Sequence, residues 1–246
     1  MATSVERAAS AAAFFDLDKT LISRSSTLAF GPSFYRHGLI SRGDMLRGVV
    51  AQLLFRCSGA SHSRMERIRK QVSAACRDWP AERVAEIVTR HLEELILPYV
   101  YAEAGRLLSE HRGAGRDVII VSTSGHEVVA PIGALLGAVS VIATRMRIAD
   151  GRYTGEMDLY AYGEEKASQV RALAAERGYS LPDCYAYSDS VTDLPMLEVV
   201  GYPRAVNPDR GLRRIAVARG WPVLSFSELA AAAGAIRLTD PGAPGM

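Results

Sequence analysis

Three observations predict an α/β protein with a doubly wound parallel sheet and a small helical cap domain inserted after the first strand. Strands alternate with helices from Pro98 onward. A buried apolar run near the start stops on two aspartates. Between these regions the apolar residues repeat only at helical spacing. The expected division is a core of residues 1–22 and 98–235, a helical cap of residues 23–97, and a disordered tail of residues 236–246.

Ala11 to Phe15 is a short apolar run that suits a buried strand and ends at Asp16. In the cap, Met45, Leu46, Val49, Val50, Leu53 and Leu54 form one helical stripe. Met65, Ile68, Val72, Ala75 and Cys76 form a second, and Val84, Ile87, Val88, Leu92 and Leu95 a third. Beyond Pro98, Tyr99 to His111 reads as a helix closed by Gly113-Ala114-Gly115, and Asp117 to Val121 as a buried strand. His126 to Leu136 is an expected helix and Ser140 to Ile148 an expected strand, turning at Asp150-Gly151, a strong hairpin signal. Helices follow over Glu164 to Arg177 and Asp193 to Val199. Strands are expected at Cys184 to Tyr187, Arg204 to Val206 and Pro222 to Leu224. The tail from Thr239 holds Pro241, Gly242, Pro244 and Gly245 and has little to bury.

Apolar residues make up 48% of the 246-residue chain and charged residues 23%, ordinary for a soluble globular protein with a substantial core. A net charge of +2 does not nominate a nucleic-acid binder. Cys57, Cys76 and Cys184 are scattered, without the spacing of a zinc site or a disulfide framework, and read as thiols of a reducing compartment. No leader is visible. The longest uncharged stretch, Val128 to Ala143, is broken by Pro131, Gly133 and Gly137, so it reads as a helix and a strand and not as a membrane span. The expectation is a cytoplasmic protein with neither nucleic acid nor membrane as partner.

In an open α/β sheet the ligand site lies beyond the carboxyl ends of the strands. Asp16 and Asp18 follow the first strand, and carboxylates two residues apart in extended chain point the same way. Taken alone they are as easily loop acids or a helix cap. Ser122-Thr123-Ser124-Gly125 ends another strand, where hydroxyls cap a helix and also suit a phosphate. Lys166 opens a helix, against the dipole. A solvated lysine is the commoner reading, and a nearby anion is the alternative. Asp189 and Asp193 follow a further strand. Together, four carboxylates delivered to one region repel one another unless a cation sits among them. A hard divalent ion, Mg2+, fits oxygen ligands and keeps waters that leave room for phosphate.

The segments FFDLDKTL, VIIVSTSG, EEKASQV and YAYSDSVTDLPML resemble the four motifs of the haloacid dehalogenase (HAD) superfamily. The helical insertion is similar to the small cap of its phosphoserine-phosphatase-like branch (subfamily IB, the SerB family), and within that branch to actinobacterial members. The resemblance implies a HAD-like Rossmannoid core and a Mg2+-dependent phosphatase of small phosphorylated metabolites. It implies Asp16 as nucleophile, and Asp18 as the acid and base that protonates the leaving oxygen and activates water. Mg2+ would be held by the Asp16 carboxylate, the Asp18 carbonyl and Asp189, with Asp193 as ligand or just behind one. Ser122, Thr123 and Lys166 would bind the transferring oxygens. The chemistry asks for this set: an anionic nucleophile meets an anionic phosphate only where cations offset the repulsion.

Alternatives weigh less. A dehalogenase has no use for Asp18, and a P-type ATPase needs membrane helices. An acyltransferase fusion needs a second domain. A phosphotransferase or phosphomutase shares both aspartates and is disfavoured only by the cap. The competitor of another class is a regulatory protein of cell differentiation that binds a phosphorylated ligand with little turnover. The intact set of Asp16, Asp18, Lys166 and Asp189 argues against it. Arg56, Arg64, Arg67, Arg69, Lys70 and Arg77 read as a solvated helix face with one or two members reaching an acidic substrate. His126 reads as a first-turn helix residue. Arg24, Ser25 and Ser124 are the candidates for substrate contact. In phosphoserine phosphatases a glutamate that pairs with the substrate ammonium falls at the position of Ser25, and glycines are favoured at those of Ser124 and Ser190. Phosphoserine is therefore not the expected preferred substrate.

Overall fold

The computed structural model describes residues 9–41, 43, 70 and 73–230. Strand β1 (Ala12–Phe15) is buried throughout, as four consecutive apolar residues in a central strand must be. Its side chains alternate between two cores. Phe14 joins Ile119, Val121 and Ala186 on one face. Phe15 joins Ile120 and Tyr187 on the other, where its ring stacks on Tyr187 at 4.4 Å between centroids.

Helices α1 (Ser26–Arg36) and α2 (Ala81–Ile96) bracket the inserted segment, and α3 (Ala102–Gly113) leads back into the sheet. Then come β2 (Asp117–Gly125), α4 (His126–Leu135), β3 (Ser140–Ala149), β4 (Arg152–Leu159) and α5 (Glu164–Arg177). They are followed by β5 (Tyr185–Ser188), α6 (Leu194–Glu198), β6 (Tyr202–Val206), α7 (Arg210–Ala218) and β7 (Val223–Leu224). The sheet runs β4-β3-β2-β1-β5-β6-β7. Every neighbouring pair is parallel except β3 with β4, which form the hairpin expected at Asp150-Gly151. Both turn residues have positive φ, 49° and 73°, as that turn requires.

The third cap stripe is α2, whose Val84, Ile87 and Val88 are buried in the same core as Phe15 and Ile120. Phe30 and Phe34 of α1 join them. The chain returning from the insertion lies along the hairpin, with Asp78 N donating to Tyr153 O and Tyr153 N to Trp79 O. The first stripe, most of the second, Cys57, the cations Arg56, Arg64, Arg67 and Arg69, and the tail 236–246 lie outside the described residues.

Several boundaries differ from the expected ones. Strand β2 runs on to Gly125, so Ser122 to Ser124 belong to the strand end, and Gly125 is the N-cap of α4 without a side-chain bond. Helix α1 carries Gly31 and Pro32 in its interior, which hide it from a propensity reading. Helix α7 buries only Leu212 and Ala216, too few residues to make a stripe. No described helix is long and apolar enough to cross a membrane.

Candidate active site

Strands β1, β2 and β5 are adjacent and parallel, so their carboxyl ends open onto one edge. Asp16 is the first residue past β1, and its N–H donates to Tyr187 O at 2.9 Å, prolonging the ladder into the site. Its Oδ1 accepts from Lys166 Nζ at 2.7 Å and its Oδ2 from Thr20 Oγ1 at 3.3 Å. Lys166 sits in the first turn of α5 yet is 1% exposed. Gly163 turns the chain into that helix with φ +57° and ψ −124°, a conformation other residues avoid.

Lys166 Nζ also donates to Asp193 Oδ2 at 2.9 Å, and the same oxygen accepts from Ser188 Oγ at 2.7 Å. A solvated lysine is thereby replaced by a lysine buried between two carboxylates. Burial alone would lower its pKa, but Asp16 and Asp193 outweigh that and hold it above its ordinary value. The acids remain in excess. Burial pushes Asp16 well above the carboxylate range; Lys166 pulls it back, while Asp193 and Asp189 push it further. Burial raises Asp189 to about 7, with Lys19 opposing and Asp193 adding to the rise. Lys19, at φ +67°, is a cation of the site that sequence reasoning did not single out.

The four aspartates do not form one cluster. The Asp18 carboxylate turns toward the start of α1. Its Oδ1 accepts from Ser26 N at 2.8 Å and its Oδ2 from Ser124 Oγ at 3.4 Å. The Ser25 hydroxyl also bonds to it. Burial raises the Asp18 pKa, and these hydrogen bonds lower it in part.

Asp16, Asp189 and Asp193 are the acids that sense one another. Among the described residues no three His, Cys, Asp or Glu side chains close into a metal cage by themselves. The donor set is nevertheless hard, oxygen-only and short of positive charge, since Asp16 and Asp189 both favour keeping a proton. That fits a magnesium ion, which binds through one or two carboxylates and completes its shell with a backbone carbonyl, waters and substrate oxygens.

The remaining candidates separate. Ser122 is 2% exposed, and its Oγ accepts from Ser124 N at 3.2 Å, leaving its hydroxyl proton to spare. The Thr123 hydroxyl donates to Ala161 O at 2.9 Å, so its proton is committed to the loop between β4 and α5. Ser124 Oγ is met by Ser26 Oγ and Thr27 Oγ1, each at 3.0 Å, which ties α1 to the end of β2. Arg24 lies over the Tyr99 ring, 3.9 Å from its centroid.

Residues 13–198 match the model of the haloacid dehalogenase-like hydrolase family. The chain is 60% identical to the inhibition of morphological differentiation protein of Streptomyces azureus, over 87% of this chain and 78% of that one. It is 54% identical to a Mycobacterium tuberculosis protein named "Probable phosphatase", over 88% and 75% of the two chains. A phosphoserine phosphatase of the same organism is 34% identical over 88% and 71%. Among solved structures, a Bordetella pertussis Tohama I protein described as of unknown function aligns with TM-score 0.76 and 30% identity, over 88% of this chain and 98% of that one. A phospho-aspartyl intermediate analogue of phosphoserine phosphatase aligns with TM-score 0.63 over 90% and 95%; at 20% identity it speaks for the fold alone.

Proposed function

The chain belongs to the haloacid dehalogenase-like hydrolases and is a phosphatase of that family, and we propose that it hydrolyses a small phosphomonoester through an aspartyl-phosphate formed on Asp16. The observation that carries this reading is the pairing of Asp16 at a strand end with buried Lys166 at 2.7 Å, two residues before a second carboxylate held separately. Of the inserted segment, α1 reaches that edge through Ser26 and Thr27, which meet Ser124.

Asp16 presents a carboxylate oxygen to phosphorus and the P–O bond to the leaving group breaks. Lys166 and the spare hydroxyl proton of Ser122 bind phosphoryl oxygens whose charge spreads in the transition state. Burial raises Asp18, which favours the protonated form that gives its proton to the leaving oxygen. As a carboxylate it then takes a proton from the water that attacks the aspartyl-phosphate. Asp16, the Asp18 carbonyl and Asp189 would hold magnesium, with Asp193 fixing Lys166. The ion supplies charge neutralisation between nucleophile and phosphate.

Phosphate release from a panel of metabolite phosphomonoesters tests this. Turnover should vanish in excess chelator and return with magnesium. Asp16→Asn should lower it by roughly 10⁴-fold or more with the fold intact. Full activity in chelator, or a fully active Asp16→Asn free of contaminating phosphatase, sinks the mechanism. A second reading is favoured by the Streptomyces relative: a regulatory protein that binds a phosphorylated ligand. Ligand binding without turnover across the panel would select it.

A further inference from the structure

We propose that Asp209 is a positioning residue that sets the shape of the 189–191 loop for cation binding, an inference that rests on the reading of Asp189 as a magnesium ligand. The loop after β5 is anchored at its inner end, where Asp193 is held by Lys166 and Ser188. Its outer part is gripped from the turn before α7. Asp209 N donates to Asp189 O at 2.7 Å. Asp209 Oδ2 accepts from Val191 N at 2.9 Å and from Ser190 Oγ at 3.3 Å. Its Oδ1 accepts from Leu212 N at 2.8 Å, capping α7.

The carboxylate thus ties a helix end to Ser190 and Val191, and the Asp209 backbone N–H completes the grip at Asp189. Gly211 adds a second contact. A Cβ placed there would lie 3.1 and 3.2 Å from Cβ and Cγ1 of Val191 and 3.2 Å from Asp209 Oδ1, so a side chain would push on the loop and on the carboxylate by a few tenths of an ångström. The turn itself is pinned from behind, because Asn207 exchanges two hydrogen bonds with the backbone of Phe226.

The chemistry at Val191 asks for a carboxylate. Both oxygens of Asp209 accept from backbone N–H groups, so an amide there must turn its NH2 toward one of them. The helix cap alone does not, since asparagine caps as well as aspartate. Groups just behind metal ligands set ligand orientation, and magnesium tolerates little distortion.

The test is magnesium titration of the substrate-free protein by calorimetry, with thermal melts alongside, for Asp209→Asn and Gly211→Ala. Asp209→Asn should weaken magnesium binding about tenfold or more. Gly211→Ala should keep the fold, since the crowding offsets the better helix propensity of alanine, yet weaken magnesium binding by pressing on Val191 and the Asp209 carboxylate. Should Asp209→Asn fail to fold, Gly211→Ala decides alone. Unchanged magnesium affinity in the folded variants makes Asp209 a helix cap and no more, which overturns the proposal. If the wild type itself binds no magnesium, the reading of Asp189 fails and this inference falls with it.

Discussion

Lys166→Met isolates the charge pair on which the site is built. The Lys166, Asp16 and Asp193 side chains are only 2%, 10% and 4% exposed, so water replaces little of what the ammonium provides. Methionine fills similar volume and leaves two buried carboxylates facing each other. Breaking a buried pair in this way costs about 3–5 kcal/mol. For a chain of this size each kcal/mol moves Tm by about 2–4 °C, so the expected fall is roughly 6–20 °C. Protonation of Asp16, already favoured by burial, sets the ceiling on that loss. The assay is a circular-dichroism melt in chelator, repeated for Asp193→Asn and for the double variant. The double variant should be less destabilised than the sum of the singles by about 1 kcal/mol or more, because it removes one of the stranded charges. A Lys166→Met melt within about 2 °C of wild type would refute the claim that the pair is desolvated.

Asp18→Asn should slow hydrolysis of alkyl phosphates more than aryl phosphates, because only the poorer leaving groups need its proton; equal losses would assign Asp18 to shaping the site. Phosphoserine should not be the best substrate: the Ser25 hydroxyl bonds to Asp18 and Arg24 lies on Tyr99, so neither offers an anion to an ammonium. Phosphoserine ranking first in kcat/KM by tenfold, about 1.4 kcal/mol, would overturn this. His111 accepts from Arg116 Nε at Nδ1, which leaves its ring proton on Nε2 to meet Tyr187 Oη at 2.8 Å. Burial, then Arg116 and Arg204, lower its pKa to about 4. The unfolded chain therefore takes up that proton first as pH falls. His111 contributes stability above about 6.5 that is lost between there and 4, and His111→Asn should flatten the stability–pH curve in that window. An unchanged slope in urea titrations would show that His111 is not the group responsible.

The residues that sequence could place are those whose position follows from backbone periodicity. Asp16 and Asp189 sit at ends of apolar runs, so finding the strands finds the edge. Lys166 follows from the start of a helix. What stayed hidden depends on neighbours distant in sequence. The Thr123 hydroxyl is taken by Ala161 O and Ser124 is engaged by Ser26 and Thr27, none of which strand pattern can report. The carboxylate of Asp18 turns away from its neighbour because the backbone N–H of Ser26, at the start of α1, is there to receive it. Helix α1 was itself concealed by Gly31 and Pro32. Asp209 looks in sequence like any aspartate after a proline. Its hold on Asp189 exists only once β6 has been laid beside β5.

That separation of the first two aspartates bears on how one short segment supplies both a nucleophile and an acid. Burial is the largest cause raising both Asp16 and Asp18, although Asp16 is buried and Asp18 only half-buried. Their partners differ. Asp16 shares Lys166 with Asp193 and senses Asp189, so a cation bound among those acids lowers it directly. The Asp18 carboxylate faces Ser25, Ser26 and Ser124, all neutral, and its hydrogen bonds do not cancel the effect of burial. Under the proposed mechanism a cation held by Asp16 and Asp189 would favour the anion of Asp16 more than that of Asp18. Two carboxyl groups two residues apart then divide the work because their environments pull their proton affinities apart.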